Sequence, residues 1–365
     1  MRFSWHRSTP SAHQLLCCGG LRTDYIITAR GEARLMEQGG NALYAAAGAR
    51  LWLQRVAILA RVGENYPAEW LDDLRERGFD VRGIRRVRGP QDHRTFYAYL
   101  DEHTRVDTEP AKHFARLGLA LPPELRDYVH STPGQDDPHH YEPLAVTPED
   151  LALYFAARCD SSDSLHSASA EAKGCDAIGL HMAPISIRTQ RYLPEAARRH
   201  GVRVVSADPG ERAMQPALMP YVREMLGQVD IFLPSDREAE RLFRDEPAMT
   251  DVRRYAAWFA DCGPRVVVLK MGANGALVHE RGSGRFWHVP ALPVRVVDVT
   301  GAGDAFCGGF MADFVQRGDP IRAAVAGTVS ASFAVQDYGP RRILAAPQEE
   351  LERLAAWLCE RISET

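Results

Sequence analysis

The chain has 365 residues, of which 45% are hydrophobic and 25% charged, which is the composition of an ordinary globular protein. The formal net charge of −4 gives no sign of a protein that binds nucleic acid or an anionic membrane. Seven scattered cysteines without a Cys-x-x-Cys pair, no apolar leader and no apolar run of membrane length lead us to expect a cytoplasmic protein with reduced thiols.

The first part of the chain predicts short strands and helices separated by glycines. Residues 15–20 form an apolar run that ends in two glycines, which is typical of a buried strand followed by a turn. Residues 42–52 predict an alanine-rich helix that is slim enough to lie close to a sheet or a ligand. Further elements are expected as an exposed strand pair within 22–38, a strand at 56–62, a helix at 68–77 and a strand at 95–100.

A proline-rich stretch at 107–144 interrupts this pattern, and we interpret it as an insertion that is ordered only where residues 117–128 can pack. Thr147 and the Pro-Glu-Asp that follows predict the start of a helix, because Thr caps, Pro suits the first position and acids favour the first turn. Residues 161–170 are predicted to form a flexible surface loop.

From residue 176 onwards, strand and helix patterns alternate. This alternation predicts right-handed parallel crossovers and a sheet covered by helices on both faces. The strands are expected at 176–181, 202–207, 229–234 and 265–270, with helices at 188–200, 235–243 and 252–262 between them and at 302–316, 321–335 and 348–362 near the end.

The strongest chemical signal is the run from Asp298 to Phe310, Asp-Val-Thr-Gly-Ala-Gly-Asp-Ala-Phe-Cys-Gly-Gly-Phe. A strand at 294–297 is expected to lead through a turn of small residues into a helix whose first amides are unpaired and favour an anion. Asp304, inside the first turn, places a carboxylate beside this anion hole, as a site that deprotonates a hydroxyl during phosphoryl transfer requires. A plain helix start, with Asp304 as a favourable dipole partner, is the alternative.

This run resembles the second signature of the ribokinase/PfkB family of carbohydrate kinases, and the resemblance extends over about 15–105 and 145–345. It implies a ribokinase-like α/β fold, a three-layer α/β/α sandwich with a mostly parallel central sheet and a small β lid. The kinase domain would span 15–345, with lid strands near 22–38 and 92–106 and a C-terminal helix within 346–365 packed on the same domain.

The resemblance also implies the activity, which is transfer of the γ-phosphoryl group from ATP, with Mg²⁺, to a hydroxyl of a small sugar-like acceptor. Asp304 matches the general base, and the amides of Gly301, Ala302 and Gly303 match the anion hole. Asp298 and Thr300 match positions that in many members help to bind a monovalent cation, usually K⁺. Hydrogen bonding at a strand end is the alternative for these two residues.

The acceptor site is implied near the N-terminus. Gly39, Gly40 and Asn41 resemble the family's Gly-Gly element, in which the backbone approaches the acceptor and the polar residue touches its hydroxyls. A helix cap at Asn41 is the alternative, and both can hold together. Asp24 matches the acidic residue that binds two acceptor hydroxyls, because a carboxylate accepts two hydrogen bonds at once.

The nucleotide site is implied by three further segments. Glu238 fits the family's Asn-x-x-Glu motif, which organises Mg²⁺ through water, but Ser235 stands in the Asn position and is equally suited to cap a helix. Lys270, Gly272 and Gly275 match the nucleotide-phosphate loop, although alone they would form an ordinary hairpin turn. The resemblance also places Thr328 and Gly339 at the adenine pocket.

The leading hypothesis is therefore a kinase that phosphorylates a sugar, sugar acid, sugar phosphate or nucleoside. The resemblance also implies a homodimer through the lid. The alternative is a catalytically weak or inactive nucleotide- or sugar-binding regulatory protein on the same fold. A nucleotide hydrolase or a dinucleotide-binding oxidoreductase is disfavoured, because the chain has neither a Gly-x₄-Gly-Lys-Ser/Thr loop nor a Gly-x-Gly-x-x-Gly run after the first strand.

Overall fold

A computed structural model describes Trp5 and residues 13–100, 105–131, 134–160 and 178–365. The surface loop predicted at 161–170 and the first residues of the strand predicted at 176–181 lie outside these ranges. Within the described ranges the strands form two sheets, a large central one and a smaller four-stranded one, which we call the lid.

The central sheet has ten strands among the described residues, in the order β14-β13-β12-β11-β10-β9-β8-β1-β4-β5. The strands from β11 to β5 in this order run parallel, and β12, β13 and β14 join antiparallel at one edge. Their bounds are β1 (Gln14–Cys18), β4 (Val56–Val62), β5 (Ile84–Arg86), β8 (Ile178–Met182), β9 (Val202–Ala207), β10 (Ile231–Phe232), β11 (Val266–Lys270), β12 (Ala276–Glu280), β13 (Phe286–Val289) and β14 (Ser363–Glu364).

Helices cover both faces of the central sheet, because its strands carry apolar side chains on both sides. Leu15 and Cys17 of β1 belong to one core and Leu16 and Cys18 to the other, and all four are fully buried. This arrangement confirms the predicted three-layer α/β/α fold.

The helices are α1 (Asn41–Arg50), α2 (Ala68–Glu76), α3 (Pro110–Arg116), α4 (Pro148–Asp160), α5 (Ile187–Arg199), α6 (Met219–Leu226), α7 (Asp236–Leu242), α8 (Val252–Asp261), α9 (Ala302–Arg317), α10 (Pro320–Ala334), α11 (Arg341–Leu344) and α12 (Gln348–Cys359). In the described ranges, none of these helices combines the length and the apolar character that crossing a bilayer requires.

Three predicted elements differ from the structure. The strand expected at 294–297 is absent from these described residues, because the amides of Val297 and Asp298 donate to the carbonyl of Val335 at the end of α10 instead of to a strand. The strand expected at 229–234 shortens to Ile231–Phe232. The last helix ends at Cys359, and the chain then adds the edge strand Ser363–Glu364.

The lid contains β2 (Arg22–Ile27), β3 (Ala33–Gly39), β6 (Arg94–Tyr99) and β7 (Arg105–Val106), in the order β3-β2-β6-β7. Side chains alternate between its two faces, as in any strand. Tyr25 and Phe96 point to one face, whereas Asp24 and Tyr99 point to the other, where the Tyr99 hydroxyl lies 2.7 Å from Thr300 Oγ1 of the main body. One face of the lid is therefore turned towards the body.

The insertion covers the opposite face of the lid. Phe114, Leu125 and Tyr128 pack on Tyr25 and Phe96 in a separate apolar core, and the Phe96 amide donates to the Tyr128 hydroxyl at 3.1 Å. The insertion is thus ordered over more than the predicted 117–128, since it also forms α3. Packing explains the extra helix, because Phe114 has a buried surface to occupy.

The far end of the insertion is bound to the main body. The Ile187 amide donates to the Gln135 carbonyl at 2.9 Å, and Gln135 Nε2 donates to the Pro184 carbonyl at 3.1 Å. The insertion therefore links the outer face of the lid to the loop after β8. The chain's own insertion thus occupies the outer face of the lid, and the homodimer expected through the lid stays a prediction.

We expect Phe114→Ala to loosen the lid selectively, because a buried phenylalanine truncated to alanine costs about 3–5 kcal/mol. Phe114 is 1% exposed and its ring centroid lies 6.1 Å from that of Phe96. Hydrogen exchange should become faster in β2 and β6 and stay unchanged in β8 and β9. Val129→Ala is the matched control, since Val129 lies in the same insertion and is 72% exposed. Unchanged exchange in β2 and β6 would show that the insertion does not support the lid.

Candidate active site

Backbone contact between α1 and α9 brings the two ends of the predicted site together. A Cβ on Gly48 would lie 2.2 Å from the Ala305 carbonyl oxygen, and one on Gly308 would lie 1.8 Å from the Ala45 carbonyl oxygen. Only glycine permits this approach, because such distances are far inside van der Waals contact. The start of α1, with Gly40 as N-cap, is therefore fixed relative to the start of α9.

The turn before α9 forms the predicted anion-binding element, with one correction. Gly301 is the N-cap of α9 at φ 74°, and the ring of Tyr44 lies over it. The Ala302 amide donates to the Val299 carbonyl at 3.2 Å, so it is not a free donor as predicted. The amides of Gly303 and Asp304 have no backbone acceptor among the described residues, because they precede the first helical hydrogen bond of α9, from Ala305 to Gly301.

Asp304 lies half-buried in the first turn of α9. Burial raises the pKa of its carboxyl to about 6, while the cations of Lys270 and Arg105 oppose this rise and the charge of Glu238 adds to it. At neutral pH the group is then mostly a carboxylate with a much higher proton affinity than an exposed aspartate. That is the property a general base needs.

Lys270 ends β11 and points towards the turn, since a Cβ on Gly303 would lie 3.4 Å from its Nζ. Its ammonium forms a buried ion pair with Asp208 and also lies 3.6 Å from the Cys307 sulfur. Burial alone would lower the pKa of Lys270, but the Asp208 carboxylate outweighs it and holds the pKa above its ordinary value. Lys270 is therefore a permanent cation beside Asp304.

Asp208 is a site residue that the sequence analysis missed. It directly follows β9, whose carboxyl end lies at the same edge of the sheet as that of β11. Ligands of open α/β sheets bind at this edge, so an aspartate placed directly after a buried strand was the available signal. Its Oδ1 atom is buried and has no hydrogen-bond partner among the described residues.

Ser235 and Glu238 form a capping box at the start of α7. Ser235 Oγ accepts from the Glu238 amide at 3.2 Å, and Glu238 Oε2 accepts from the Ser235 amide at 2.7 Å. The capping role considered for Ser235 is thus confirmed. Burial and the nearby charge of Asp208 raise the pKa of Glu238 to about 7, which places its carboxyl group in the same electrostatic cluster as Lys270.

Asp24 lies in β2 on the body-facing side of the lid and is 3% exposed. Its carboxylate rests against Gly39, where a Cβ would lie 1.8 Å from Asp24 Oδ2. Burial, and next the charge of Asp298, raise its pKa to about 7, and Asp304 contributes in the same direction. Asp24 and Asp304 are far apart in the sequence, but the structure places them close enough for the charge of Asp304 to raise the pKa of Asp24.

Asn41 has a different structural role from the one considered. Gly40 takes the N-cap position of α1, so the predicted cap at Asn41 is wrong. Asn41 Oδ1 instead accepts from the Gly20 amide at 2.7 Å, and its Nδ2 donates to the Pro184 carbonyl at 2.5 Å. Asn41 therefore ties the turn after β1 to the loop after β8, with one N–H and one lone pair left for a ligand.

Asp298 and Thr300 are bonded to each other before the turn. Asp298 Oδ1 accepts from the Thr300 amide at 3.0 Å and from its hydroxyl at 2.8 Å, so hydrogen bonding, the alternative considered for this pair, is present. Asp298 Oδ2 is buried without a hydrogen-bond partner among the described residues. An unpartnered carboxylate oxygen of this kind suits a cation such as K⁺.

The remaining predicted residues lie in two places. Gly272 and Gly275 flank the short turn between β11 and β12, and a Cβ on Gly275 would lie 2.1 Å from the Val289 carbonyl oxygen. The Thr328 hydroxyl donates to the Ala324 carbonyl at 2.9 Å within α10. Gly339 lies beside Gln38 of the lid strand β3. The adenine-pocket assignment of Thr328 and Gly339 stays a prediction.

Over the part of the chain that the structure describes, no group of three His, Cys, Asp or Glu side chains is placed to hold a metal ion. The carboxylates of Asp208 and Glu238 nevertheless lie at one edge of the sheet with Lys270 between them and the turn. Such a donor set fits a cation that is held mainly by a bound phosphate and by water rather than by a protein cage, as is usual for Mg²⁺.

Comparison with known proteins gives a consistent family assignment. Residues 145–347 match the family described as pfkB family carbohydrate kinase. A cytidine kinase of Thermococcus kodakarensis is 26% identical over 85% of this chain and 91% of that protein. A deoxyribokinase of Salmonella typhi is 31% identical over 52% of this chain, which spans 59% of that protein. Among solved structures, a putative ribokinase II from E. coli in complex with ATP and Mg²⁺ has a TM-score of 0.63 at 19% identity, covering 94% of this chain and 98% of that one.

Substitution of Gly301 tests the contact between Tyr44 and the turn. Gly301 and Gly318 cap the two ends of α9 at φ 74° and 71°, so alanine costs about 1–2 kcal/mol at either position. Only at Gly301 would the new Cβ meet the Tyr44 ring, at 2.2 Å, whereas nothing lies within 4 Å at Gly318. We expect Gly301→Ala to lower the free energy of unfolding in urea by about 1–3 kcal/mol more than Gly318→Ala does. Tyr44→Ala should remove this difference, and an equal cost at both glycines would contradict the contact.

Proposed function

The chain belongs to the pfkB family of carbohydrate kinases, and from this premise we propose that Asp304 is the general base with which it phosphorylates a small acceptor. As a family member the protein is an ATP-dependent phosphotransferase with an alcohol group as acceptor, of the carbohydrate or nucleoside kinase type.

One observation supports the proposal most strongly. A carboxylate with a pKa of about 6 adjoins two amides at a helix start that have no backbone acceptor among the described residues, and a permanent cation, Lys270, lies against the same turn. The amides of Gly303 and Asp304, aided by the helix dipole, stabilise negative charge on the transferring phosphoryl group. Asp304 accepts the proton of the attacking hydroxyl at the same place, so a single turn carries out both tasks.

Acceptor binding is assigned to the lid and the start of α1. The Asp24 carboxylate has no hydrogen-bond partner among the described residues, so both oxygens are available for the hydroxyls of a sugar ring. The free N–H of Asn41 and the Gly39-Gly40 backbone complete this side. A sugar, sugar acid, sugar phosphate or nucleoside offers the required hydroxyls.

The nucleotide side is assigned to Lys270, Gly272, Gly275, Ser235 and Glu238, with Thr328 and Gly339 predicted near the adenine. Asp208 and Glu238 would hold Mg²⁺ through water, and Asp298 Oδ2 would contribute to a K⁺ site. When bound, these cations supply positive charge that neutralises the phosphates. Lys270 adds a fixed charge to the same side, oriented by its ion pair with Asp208.

The alternative is a protein that binds nucleotide and sugar with little turnover. The capping box supports it in part, because Glu238 already accepts a hydrogen bond from Ser235 and is less free to organise water. An acceptor-dependent assay separates the two functions. Turnover assigns a kinase, whereas saturable binding of both ligands without product assigns a binding protein.

Asp304→Asn should reduce kcat by about 10²–10⁴-fold, the usual contribution of a positioned general base. The measurement is acceptor-dependent ADP formation from MgATP over a panel of ribose, deoxyribose, sugar acids, sugar phosphates and nucleosides that includes cytidine. Asp313→Asn serves as a matched control, because Asp313 lies on the same helix but pairs with Arg322 away from the turn. A kcat that survives in Asp304→Asn would remove Asp304 from the base role.

The pH dependence of kcat/KM for the acceptor tests Asp24 and Asp304 together. Both pKa values are raised, to about 7 and about 6, and both groups act as carboxylates, so activity is present above these values and is lost as the pH falls through them. Below about pH 6 we expect the logarithm of kcat/KM to fall with a slope greater than one. Asp24→Asn should reduce that slope by about one. An unchanged slope would show that Asp24 does not titrate in acceptor binding.

A further inference from the structure

The lid presents a cation, Arg105, to the turn that precedes α9. In the ladder between β6 and β7, Arg105 pairs with Tyr99, and in the ladder between β2 and β6, Asp24 pairs with Thr95. Paired residues share a face, and so do alternate residues of one strand. Arg105 therefore lies on the same body-facing side of the lid as Asp24 and Tyr99.

Two tyrosines of β6 lie beside the Arg105 side chain on this face. Its guanidinium carbon lies 4.2 Å from the centre of the Tyr97 ring, a cation–π distance, and Tyr99 is its direct partner across the strand ladder. The Tyr99 hydroxyl lies 2.7 Å from Thr300 Oγ1. The strand neighbour of Arg105 therefore contacts the residue that directly precedes Gly301.

Arg105 also has no ion-pair partner within the described ranges, because no carboxylate oxygen there lies within 4.0 Å of its guanidinium nitrogens. Arg105 is exposed, and its positive charge acts to lower the pKa values of Asp24, Asp298 and Asp304. The other cation at the turn, Lys270, is committed to Asp208. A guanidinium on the body-facing side of the lid that forms no ion pair fits a planar group with several oxygens, which it can contact with two N–H donors at once.

We propose that Arg105 is a further catalytic residue, delivered by the lid, whose guanidinium contacts the transferring phosphoryl group at the Gly301–Asp304 turn. This inference rests on the proposed function and adds to it a donor on the lid side. Lid and turn then approach the phosphoryl group from opposite sides. Positive charge is greatest at that group only when the lid lies over the site, which ties phosphoryl transfer to the presence of an acceptor beneath the lid.

Kinetics of Arg105 variants test this role. Arg105→Gln should lower kcat by about 10²-fold or more, as the loss of a donor to the reacting group does, with acceptor KM within about threefold of wild type. The kcat of Arg105→Lys should lie between that of wild type and that of Arg105→Gln, because lysine keeps the charge but lacks the planar guanidinium with its paired donors. Arg30→Gln is the matched control, since Arg30 is exposed in the turn between β2 and β3 of the same lid. We expect its kcat to be unchanged.

A binding experiment gives a readout that does not need an acceptor. MgADP with aluminium fluoride imitates the planar phosphoryl group, and we expect wild type and Arg30→Gln to bind it more tightly than MgADP alone. In Arg105→Gln the increase in affinity caused by aluminium fluoride should be at least tenfold smaller than in wild type, while the affinity for MgADP alone is retained. Equal melting temperatures of the variants would show that the fold is intact.

The outcomes separate this inference from the proposed function. If the wild type turns over and Arg105→Gln keeps the wild-type kcat, the inference is overturned and the kinase assignment stands. The same holds if Arg105→Gln keeps the full increase in affinity that aluminium fluoride gives to MgADP binding. A raised KM for phosphorylated or carboxylated acceptors alone, with kcat intact, also overturns it, since the guanidinium would then bind the acceptor. A wild-type protein that neither turns over nor binds MgADP would refute the proposed function itself, and the inference with it.

Discussion

The candidate site depends on the direct backbone contact of α1 with α9. Glycines at 48 and 308 let each helix touch a carbonyl group of the other, so the two helices move as one body. The proposed acceptor element at the start of α1 and the proposed base at the start of α9 consequently keep a fixed separation. Such precision matters, because a misplacement of about 1 Å in a reacting geometry can cost about 10²-fold in rate. Any side chain at either glycine would increase this separation.

The lid supplies the other half of the site and depends on the insertion for its own stability. A small sheet with one bare apolar face is marginal in water, and the Tyr25 and Phe96 side of this lid is apolar. The insertion covers that side with Phe114 and Tyr128, so the opposite side, with Asp24 and Tyr99, is directed to the body. A register shift of a single residue would exchange the two sides. Packing on the outer face therefore sets which residues face the substrate.

The sequence allowed the fold to be predicted and the run that contains the proposed base to be located, because both depend on local patterns. Continuous apolar runs such as β1 indicate strands buried on both faces, and the run that contains Asp304 has its signature within a few residues. The pairing of Asp208 with Lys270 has no local signature, since they lie 62 residues apart and meet only because β9 and β11 flank β10. Arg105 was missed for the same reason, because its place opposite Tyr99 follows from strand register.

Charge balance in the cleft connects these features. Burial raises the pKa values of Asp24, Asp304 and Glu238, and neighbouring carboxylates add to the rise in each case. Binding of a nucleotide would add further negative charge, and the ammonium of Lys270 is already balanced by Asp208. The additional positive charge must then come from metal ions, from the amides at the start of α9 and from the lid. Because the Tyr99 hydroxyl lies 2.7 Å from Thr300 Oγ1 and Arg105 faces the same side of the lid, the position of the lid would set how much positive charge reaches the proposed phosphoryl site.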